Sequence, residues 1–353
     1  METNPDISRP EQQTNIMPTQ LKNFLKYTIA LAIGGFLFWL AVKDYNFPQM
    51  VTDVSKADFR WIFLSIIISL LSHVARAARW NLLLKPLGYT PKITNTFMAV
   101  MVGYFANIVI PRMGEVSRCV VLNKIENTHF NSTFGTVITE RVFDLLCLLT
   151  LIGLSFLLEY KRFSDFFFNN MVPLLSKGNH LGSYIAAGLF FLLLIIVLLF
   201  KKRILNSPFY AKAKQFVLGL IQGVLSIRKM TNKEKVLFLL YTFLIWLGYY
   251  LMVYLVFFSL PYTSGLNPLA GLVILIAASV GMSAPLPAGG FGIFEILISL
   301  ALTLFYGLTK DEGTTYALVV HASQFLTILV AGGICSLIVL FYKRKVSPVT
   351  QNI

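Results

Sequence analysis

The chain has 353 residues, of which 56% are hydrophobic and only 13% charged, with a mean hydropathy of +0.70. A soluble domain carries about 25% charged residues, so the composition excludes an ordinary water-soluble enzyme and indicates a protein that crosses a membrane repeatedly. The net charge of +14 does not indicate a nucleic-acid partner, because the basic residues cluster at the ends of long apolar runs.

Long apolar runs predict membrane-spanning helices, since a helix needs about 20 mostly apolar residues to cross a bilayer. Six such runs extend from Phe24 to Val42, Trp61 to Trp80, Val142 to Leu158, Tyr184 to Phe200, Val236 to Leu260 and Tyr316 to Tyr342. Two further stretches, Thr96 to Ile110 and Pro268 to Tyr306, are interrupted by Pro and Gly. We predict an all-α polytopic membrane protein with about six full spans and two re-entrant or broken helical hairpins.

Lys and Arg in short loops predict the orientation, because cytoplasmic loops are rich in both residues. The strongest basic clusters lie at 76–92, 201–214 and 343–345. We expect all three, and both chain termini, on the cytoplasmic side of a cell inner membrane. The first broken stretch would then begin and end inside, and the second would begin and end outside.

The order of span, broken hairpin and span occurs twice, in residues 60–160 and 236–342, with opposite directions through the membrane. This order is typical of an inverted-topology repeat, although a polytopic chain also offers chance symmetry. Apolar positions with helical spacing predict an interfacial helix over 209–230. We therefore expect one membrane domain over 21–345, with a disordered cytoplasmic tail at 1–20 and a second cytoplasmic tail at 346–353.

The two breaks are candidates for a functional site. They read PRMGE at 111–115 and PLPAGGFGIFE at 285–295, and non-helical backbone at membrane depth is tolerated only inside protein or beside a water-filled cavity. Helix amino-termini after such breaks suit phosphate or carboxylate. Gly289, Gly290 and Gly292 would let an anionic headgroup approach the backbone, and close helix packing is their alternative role.

Ionisable residues inside apolar segments are costly and indicate function. The candidates for headgroup binding are Arg76, Arg79, Asn107, Arg112 and Arg118 with the three glycines, and the candidates for charge relay or coupling are Glu115, Glu140, Arg141, Asp144, Glu295 and His321. The alternative for Arg76 and Arg79 is that they snorkel to the cytoplasmic headgroups. His321 could equally carry a proton or pack as a satisfied side chain.

Local ion pairing is the alternative role for four of these residues. Glu115 and Arg118, like Arg141 and Asp144, are three residues apart and would share a helix face. No metal site, cofactor or catalytic set is predicted, because the four histidines are scattered and no GxxxxGK[ST] phosphate loop occurs.

Four ordered motifs resemble a known family. They are Arg76-Ala-Ala-Arg79-Trp80, Asn107-Ile-Val-Ile-Pro111-Arg-Met-Gly114-Glu115-Val-Ser-Arg118, Glu140-Arg141-Val-Phe-Asp144 and Pro287-Ala-Gly289-Gly290-Phe-Gly292-Ile-Phe-Glu295. Together they are similar to the flippase-like transmembrane region of lysylphosphatidylglycerol synthases, over about Leu21 to Tyr342.

The resemblance implies a module that moves a lipid headgroup between leaflets, with an anionic phospholipid or an isoprenoid-linked lipid as its partner. The chain ends about ten residues after its last apolar run, so we expect a transporter without the soluble lysyltransferase domain. Two alternatives stay open: an intramembrane lipid-modifying enzyme, and an accessory subunit of an envelope lipid or glycan synthase. A homo-oligomer or an envelope-synthase partner is compatible with each.

Overall fold

The computed structural model describes residues 47–166 and 230–342, together with a few isolated positions. Its helices are α1 Phe47–Ser55, α2 Phe59–Leu84, α3 Ile93–Val109, α4 Gly114–Glu126, α5 Phe130–Leu158, α6 Tyr160–Phe166, α7 Asn232–Phe257, α8 Pro268–Ser283, α9 Pro287–Gly290, α10 Ile293–Tyr306 and α11 Lys310–Leu340, with a 3₁₀ turn at Lys85–Leu87. No strand occurs in these segments, which confirms the all-α class. The predicted spans at 24–42 and 184–200, the interfacial helix at 209–230 and both tails lie outside the two continuous segments.

Within residues 47–166 and 230–342, four helices are long and apolar enough to cross a membrane. These are α2 with its 3₁₀ extension, α5, α7 and α11, which have 26 to 31 residues and hydropathies of 1.7 to 2.1. They match four of the predicted spans. The helix α5 begins at Phe130, well before the predicted start at Val142, so the charged residues at 140–144 lie within a long helix and not at its end.

Capping residues fix where the long helices of the second half begin. Thr231 accepts a hydrogen bond from Glu234 N, and the Glu234 carboxylate accepts one from Thr231 N at 2.9 Å. Thr309 and Glu312 form the same reciprocal arrangement at the start of α11. Such capping boxes satisfy amide groups that the first helical turn leaves without partners.

The helices α2 and α7 pack side by side in opposite directions. Ser65 donates to the carbonyl of Met252 at 3.0 Å, and Ser72 donates to that of Ile245 at 3.3 Å. At the far end, Lys85 Nζ lies 2.6 Å from a Glu234 carboxylate oxygen. The two helices therefore run antiparallel. The small side chains of Ser65 and Ser72 allow them to approach closely.

The first broken stretch folds back on itself. Glu126, at the end of α4, accepts hydrogen bonds from Lys92 N at 3.1 Å and from Asn95 Nδ2 at 2.6 Å, at the start of α3. The two arms touch through glycines, because a methyl group at Gly114 would overlap the Gly103 carbonyl. Both outer ends of this pair thus lie at the same end of the bundle, near Lys85 and Glu234.

The second broken stretch also folds back, from the opposite end. Tyr250 donates to the carbonyl of Pro268 at 3.0 Å where α8 begins, and Arg162 donates to the carbonyl of Phe305 where α10 finishes. The arms touch at Gly281, which faces Gly290 and the backbone of Phe294. The two broken stretches therefore enter the bundle from opposite ends.

Two hydrophobic cores hold the bundle together, one toward each end. Trp80, Leu84 and Leu122 belong to the first core, and Phe257 and Ile274 to the second. Large apolar side chains also cover the outer surface; those more than half exposed include Phe63, Leu71, Phe156, Leu157, Val236, Phe243, Leu326 and Leu337. An apolar exterior around four long apolar helices is what a lipid environment requires, which agrees with a membrane protein.

Candidate functional site

Both breaks face one cavity of about 450 Å³. The first break contributes Pro111 and Arg112 to its wall, and the second contributes Leu286 and Gly289. The two breaks, far apart in sequence, therefore meet at one cavity in the described part of the chain. Its polar and charged lining includes Arg76, Tyr104, Asn107, Arg112, Glu115, Arg141, Asp144 and His321, and its apolar lining includes Leu145, Leu148, Trp246, Met252, Leu275, Met282, Phe325 and Ile328.

Arg76 and Arg79 are held inside the bundle by two carboxylates of α5. Arg76 Nη1 contacts Glu140 and lies 3.0 Å from Asp144 Oδ2, while Arg79 Nη2 lies 3.2 Å from Glu140 Oε1 and 2.6 Å from Asp144 Oδ1. The two arginines are only 2% and 0% exposed, so the snorkelling interpretation is wrong. Their separation of three residues places both on the face of α2 that meets α5.

Arg118 pairs with Glu140 and not with its sequence neighbour Glu115. Its Nη1 lies 3.0 Å from Glu140 Oε2, and its guanidinium lies 4.6 Å from the centre of the Trp80 ring. Trp80 in turn donates to Thr136 Oγ1 at 2.8 Å. Arg118 is buried behind the cavity wall, so it supports the site and does not line it.

Arg141 lies at the cavity wall between two acids. Its Nε is 3.4 Å from Glu115 Oε1, and its Nη1 is 3.8 Å from Asp144 Oδ2. The predicted local pair with Asp144 is therefore the longer of its contacts, because Asp144 is drawn to the α2 arginines. About 41% of the Arg141 side chain is exposed, so a ligand in the cavity can reach it.

The tip of the first broken pair is built by Asn107 and Arg112. Asn107 Oδ1 accepts a hydrogen bond from Gly114 N at 2.6 Å, which closes the turn. Arg112 has a φ of +65°, a left-handed conformation that is uncommon for residues other than glycine. This backbone directs an exposed arginine to the cavity, and no ion pair ties it to a carboxylate in the described segments.

The three glycines of the second break do different things. Gly289 lines the cavity, whereas a methyl group on Gly290 would overlap the Gly281 carbonyl. Gly292 donates its N–H to Glu295 Oε2 at 2.7 Å. All three have positive φ, so the break needs glycine for its backbone shape, and only Gly289 stays a candidate for direct ligand contact.

Glu295 and His321 form a buried pair at the second break. The His321 Nδ1 lies 2.5 Å from Glu295 Oε1, and Glu295 is fully buried. The other carboxylate oxygen of Glu295 accepts from Gly292 N, so this side chain ties the break to α11. His321 lines the cavity, which places a titratable group opposite the arginine cluster.

The sequence interpretation missed two tyrosines and a tryptophan of the cavity wall. Tyr249 accepts hydrogen bonds from Arg76 Nε at 3.2 Å and Nη2 at 2.9 Å, and its hydroxyl lies 3.4 Å from that of Tyr104. Trp246 lies one turn before Tyr249 and also lines the cavity. Aromatic residues are common in membrane helices, so nothing in the sequence distinguished these three.

Among the described residues no group of His, Cys, Asp and Glu could hold a metal ion.

Comparison with known proteins identifies the family. Residues 27–332 match the family described as the lysylphosphatidylglycerol synthase TM region. The chain belongs to this family. The resemblance predicted from the four motifs is thereby confirmed, and the motifs meet at the cavity and its buried arginine cluster.

Family relatives include membrane proteins that carry only a numbered family label. A UPF0104 membrane protein of Pyrococcus horikoshii is 25% identical over 332 residues, which cover 89% of this chain and 96% of that protein. Another, from Methanocaldococcus jannaschii, is 35% identical over 123 residues, and these cover 34% of this chain and 36% of the relative.

One relative has a more specific name. The glycosyltransferase AglD of Haloferax volcanii is 29% identical over 106 residues, which cover 30% of this chain and 17% of that protein. No solved structure matches the chain.

Proposed function

We propose that this protein is a flippase-like transporter that moves an anionic phospholipid or a lipid-linked headgroup between leaflets. The observation that carries the proposal is the single cavity that both helix breaks face, with Arg76, Arg112 and Arg141 in its wall. Helix breaks and ionisable residues at membrane depth are expensive, and they mark substrate pathways in membrane transporters.

The mixed lining of the cavity supports a lipid as the substrate. Arginines, Tyr104 and Asn107 offer donors for a phosphate, while Leu145, Leu148 and Phe325 offer an apolar surface. The lining therefore suits a charged headgroup attached to the first carbons of an acyl or isoprenoid chain. The volume of about 450 Å³ lies within the usual range of ligand pockets, about 300 to 1,000 Å³.

The packing supports an inverted-repeat architecture. The long helices α2 and α7 run antiparallel, and each is followed by a folded-back pair and a second long helix, α5 or α11. In this proposal the pairs α3–α4 and α8–α10 are re-entrant hairpins that enter from opposite faces of a cell inner membrane. Both chain termini would lie in the cytoplasm, and six full spans would include the runs at 24–42 and 184–200.

The pair of Glu295 and His321 is the candidate for energy coupling. The two side chains share a short hydrogen bond beside the cavity, and Glu295 also holds the amino-terminal end of α10 through Gly292. A proton gained or lost by this pair would change the hydrogen bonds through which Glu295 fixes the second hairpin. Glu115, Glu140 and Asp144 instead neutralise and position the arginines.

Leaflet exchange in proteoliposomes tests the proposal. Purified protein is reconstituted with fluorescent phosphatidylglycerol, and the fraction of label quenched from outside is followed over time. We expect wild-type protein and Lys56→Ala to accelerate exchange and Arg112→Ala to lose most of that acceleration. Lys56 is the matched control because it is an exposed cation away from the cavity wall. Exchange that equals that of empty liposomes, from folded protein with several anionic lipids, would exclude a transporter.

A second candidate is an accessory subunit of an envelope glycan synthase. The similarity to a protein named as a glycosyltransferase favours it, because that segment is a small part of a longer protein. Under this proposal the purified chain would show no exchange activity and would co-purify with a stoichiometric synthase.

A further inference from the structure

The charged side chains around the cavity include more arginines than carboxylates. In the described segments the ion-paired cluster beside the cavity contains four arginines, at 76, 79, 118 and 141, and three carboxylates, at 115, 140 and 144. Arg112 adds a fifth positive charge at the cavity wall and has no carboxylate within ion-pair distance there. The five arginines and three carboxylates thus leave a net charge of +2 near the first break, and Arg112 is the arginine among them without a carboxylate partner.

Glu295, near the second break, is not available to pair with these arginines. It is fully buried, it does not line the cavity, and its two oxygens are occupied by His321 and by the N–H of Gly292.

In the described part of the cavity wall, the acidic side chains already contact arginines. Glu115 and Asp144 are the acids that line the described part of the cavity. Glu115 contacts Arg141, and Asp144 contacts both Arg76 and Arg79. An ammonium group entering the cavity would therefore meet an arginine beside each of these carboxylates.

We propose that the cavity selects lipids whose phosphate carries two negative charges, a phosphomonoester or a diphosphate, over singly charged and aminoacylated phospholipids. This inference rests on the proposed function and names its substrate class. Arg112 is the specificity-determining residue, since its guanidinium can bind two phosphate oxygens at once. Arg141 is the second cavity-wall arginine with a large exposed fraction, and it completes the contact to the dianion.

Binding to the purified protein in detergent tests the inference without requiring transport. The probes are phosphatidate, phosphatidylglycerol and lysylphosphatidylglycerol with identical acyl chains, at pH 8, and inorganic pyrophosphate. We expect phosphatidate to bind about tenfold more tightly than phosphatidylglycerol, because one more charge-assisted hydrogen bond is worth roughly 1.5 kcal/mol or more. Lysylphosphatidylglycerol should bind most weakly of the three lipids.

Variants at two positions assign the preference to Arg112. Arg112→Gln should remove the difference between phosphatidate and phosphatidylglycerol, and Arg112→Lys should restore part of it. Lys56→Gln removes the same charge from an exposed position outside the cavity wall and should leave the preference unchanged. Arg112 is exposed, and circular dichroism checks that its variants keep the helical fold.

The outcomes separate this inference from the proposed function. Equal binding of phosphatidate and phosphatidylglycerol, or tightest binding of lysylphosphatidylglycerol, overturns the selectivity while transport of either lipid leaves the transporter proposal standing. Pyrophosphate that binds as tightly as phosphatidate, and depends on Arg112, would show that the ligand is a soluble phosphate and overturn the lipid assignment. Failure of all four probes to bind folded protein overturns the selectivity, and leaflet exchange in proteoliposomes decides the transporter proposal separately.

Discussion

Glu140 is the residue on which the buried arginines depend most. It is fully buried and contacts Arg76, Arg79 and Arg118, which come from two different helices. A buried ion pair adds little net stability, since removing charges from water is costly, but a buried charge that loses its partner is strongly destabilising. The cluster therefore fixes the relative positions of α2, α4 and α5 in a single arrangement.

Glu140→Gln should lower the free energy of unfolding by about 3 to 5 kcal/mol, because three buried guanidinium groups lose their common carboxylate. Thermal unfolding in detergent measures the effect. Asp165→Asn, an exposed change of the same kind on α6, should leave the melting temperature unchanged.

Adding Arg118→Gln to Glu140→Gln should lower the free energy of unfolding by less than the sum of the two single changes, because that pair is coupled. Strict additivity would contradict the contact.

Glu295→Gln should abolish transport and leave the fold intact. The glutamine carbonyl can still accept the Gly292 N–H, while the acid that faces His321 is lost. Glu312→Gln is a matched control, because Glu312 accepts the N–H of Thr309 in the same way at the start of α11. Leaflet exchange and melting temperature are measured for both variants. Exchange at the wild-type rate in Glu295→Gln would remove the coupling role from this pair.

At the scale of elements, the sequence predicted the two breaks well and the ion pairs poorly. Pro111 and Pro285 with the neighbouring glycines interrupt helices by a local rule, since proline lacks an N–H and glycine adopts positive φ. The partners of Arg76 and Arg118 lie 64 and 22 residues away in sequence, so they depend on how α2, α4 and α5 pack. Local spacing could not show that α5 brings Glu140 to both arginines.

Gly290→Ala should separate the arms of the second hairpin, because the new methyl group would overlap the Gly281 carbonyl. Gly307→Ala is the control: Gly307 also has a positive φ, of +71°, but has no atom within 4 Å of the added methyl. The control should cost about 1 to 2 kcal/mol from backbone strain alone. Gly290→Ala should unfold at a lower temperature than the control, and equal melting temperatures would contradict the close contact.

At the scale of the whole molecule, the two ends of the bundle should face opposite compartments. Lys85 and Glu126 lie at one end, and Lys161 and Lys310 at the other. Single cysteines at these four positions are made in a chain without Cys119, Cys147 and Cys335. In intact cells an impermeant maleimide should label positions 161 and 310, and it should reach 85 and 126 only after permeabilisation. Labelling of all four in intact cells would contradict the proposed orientation.

The opposed entry of the two broken pairs has a consequence for electrical behaviour. Each pair reaches the shared cavity from its own end of the bundle. In the proposed transporter, where water would follow each pair inward, the insulating layer between the two aqueous faces would be confined to the region between the two tips. In the proposed transporter most of the membrane voltage would fall across that thin region. Moving one headgroup charge through it would exchange about 2.3 kcal/mol per 100 mV with the field. Transport of an anionic lipid would then be electrogenic, and its direction would follow the polarity of the membrane potential unless a counter-ion moved with it.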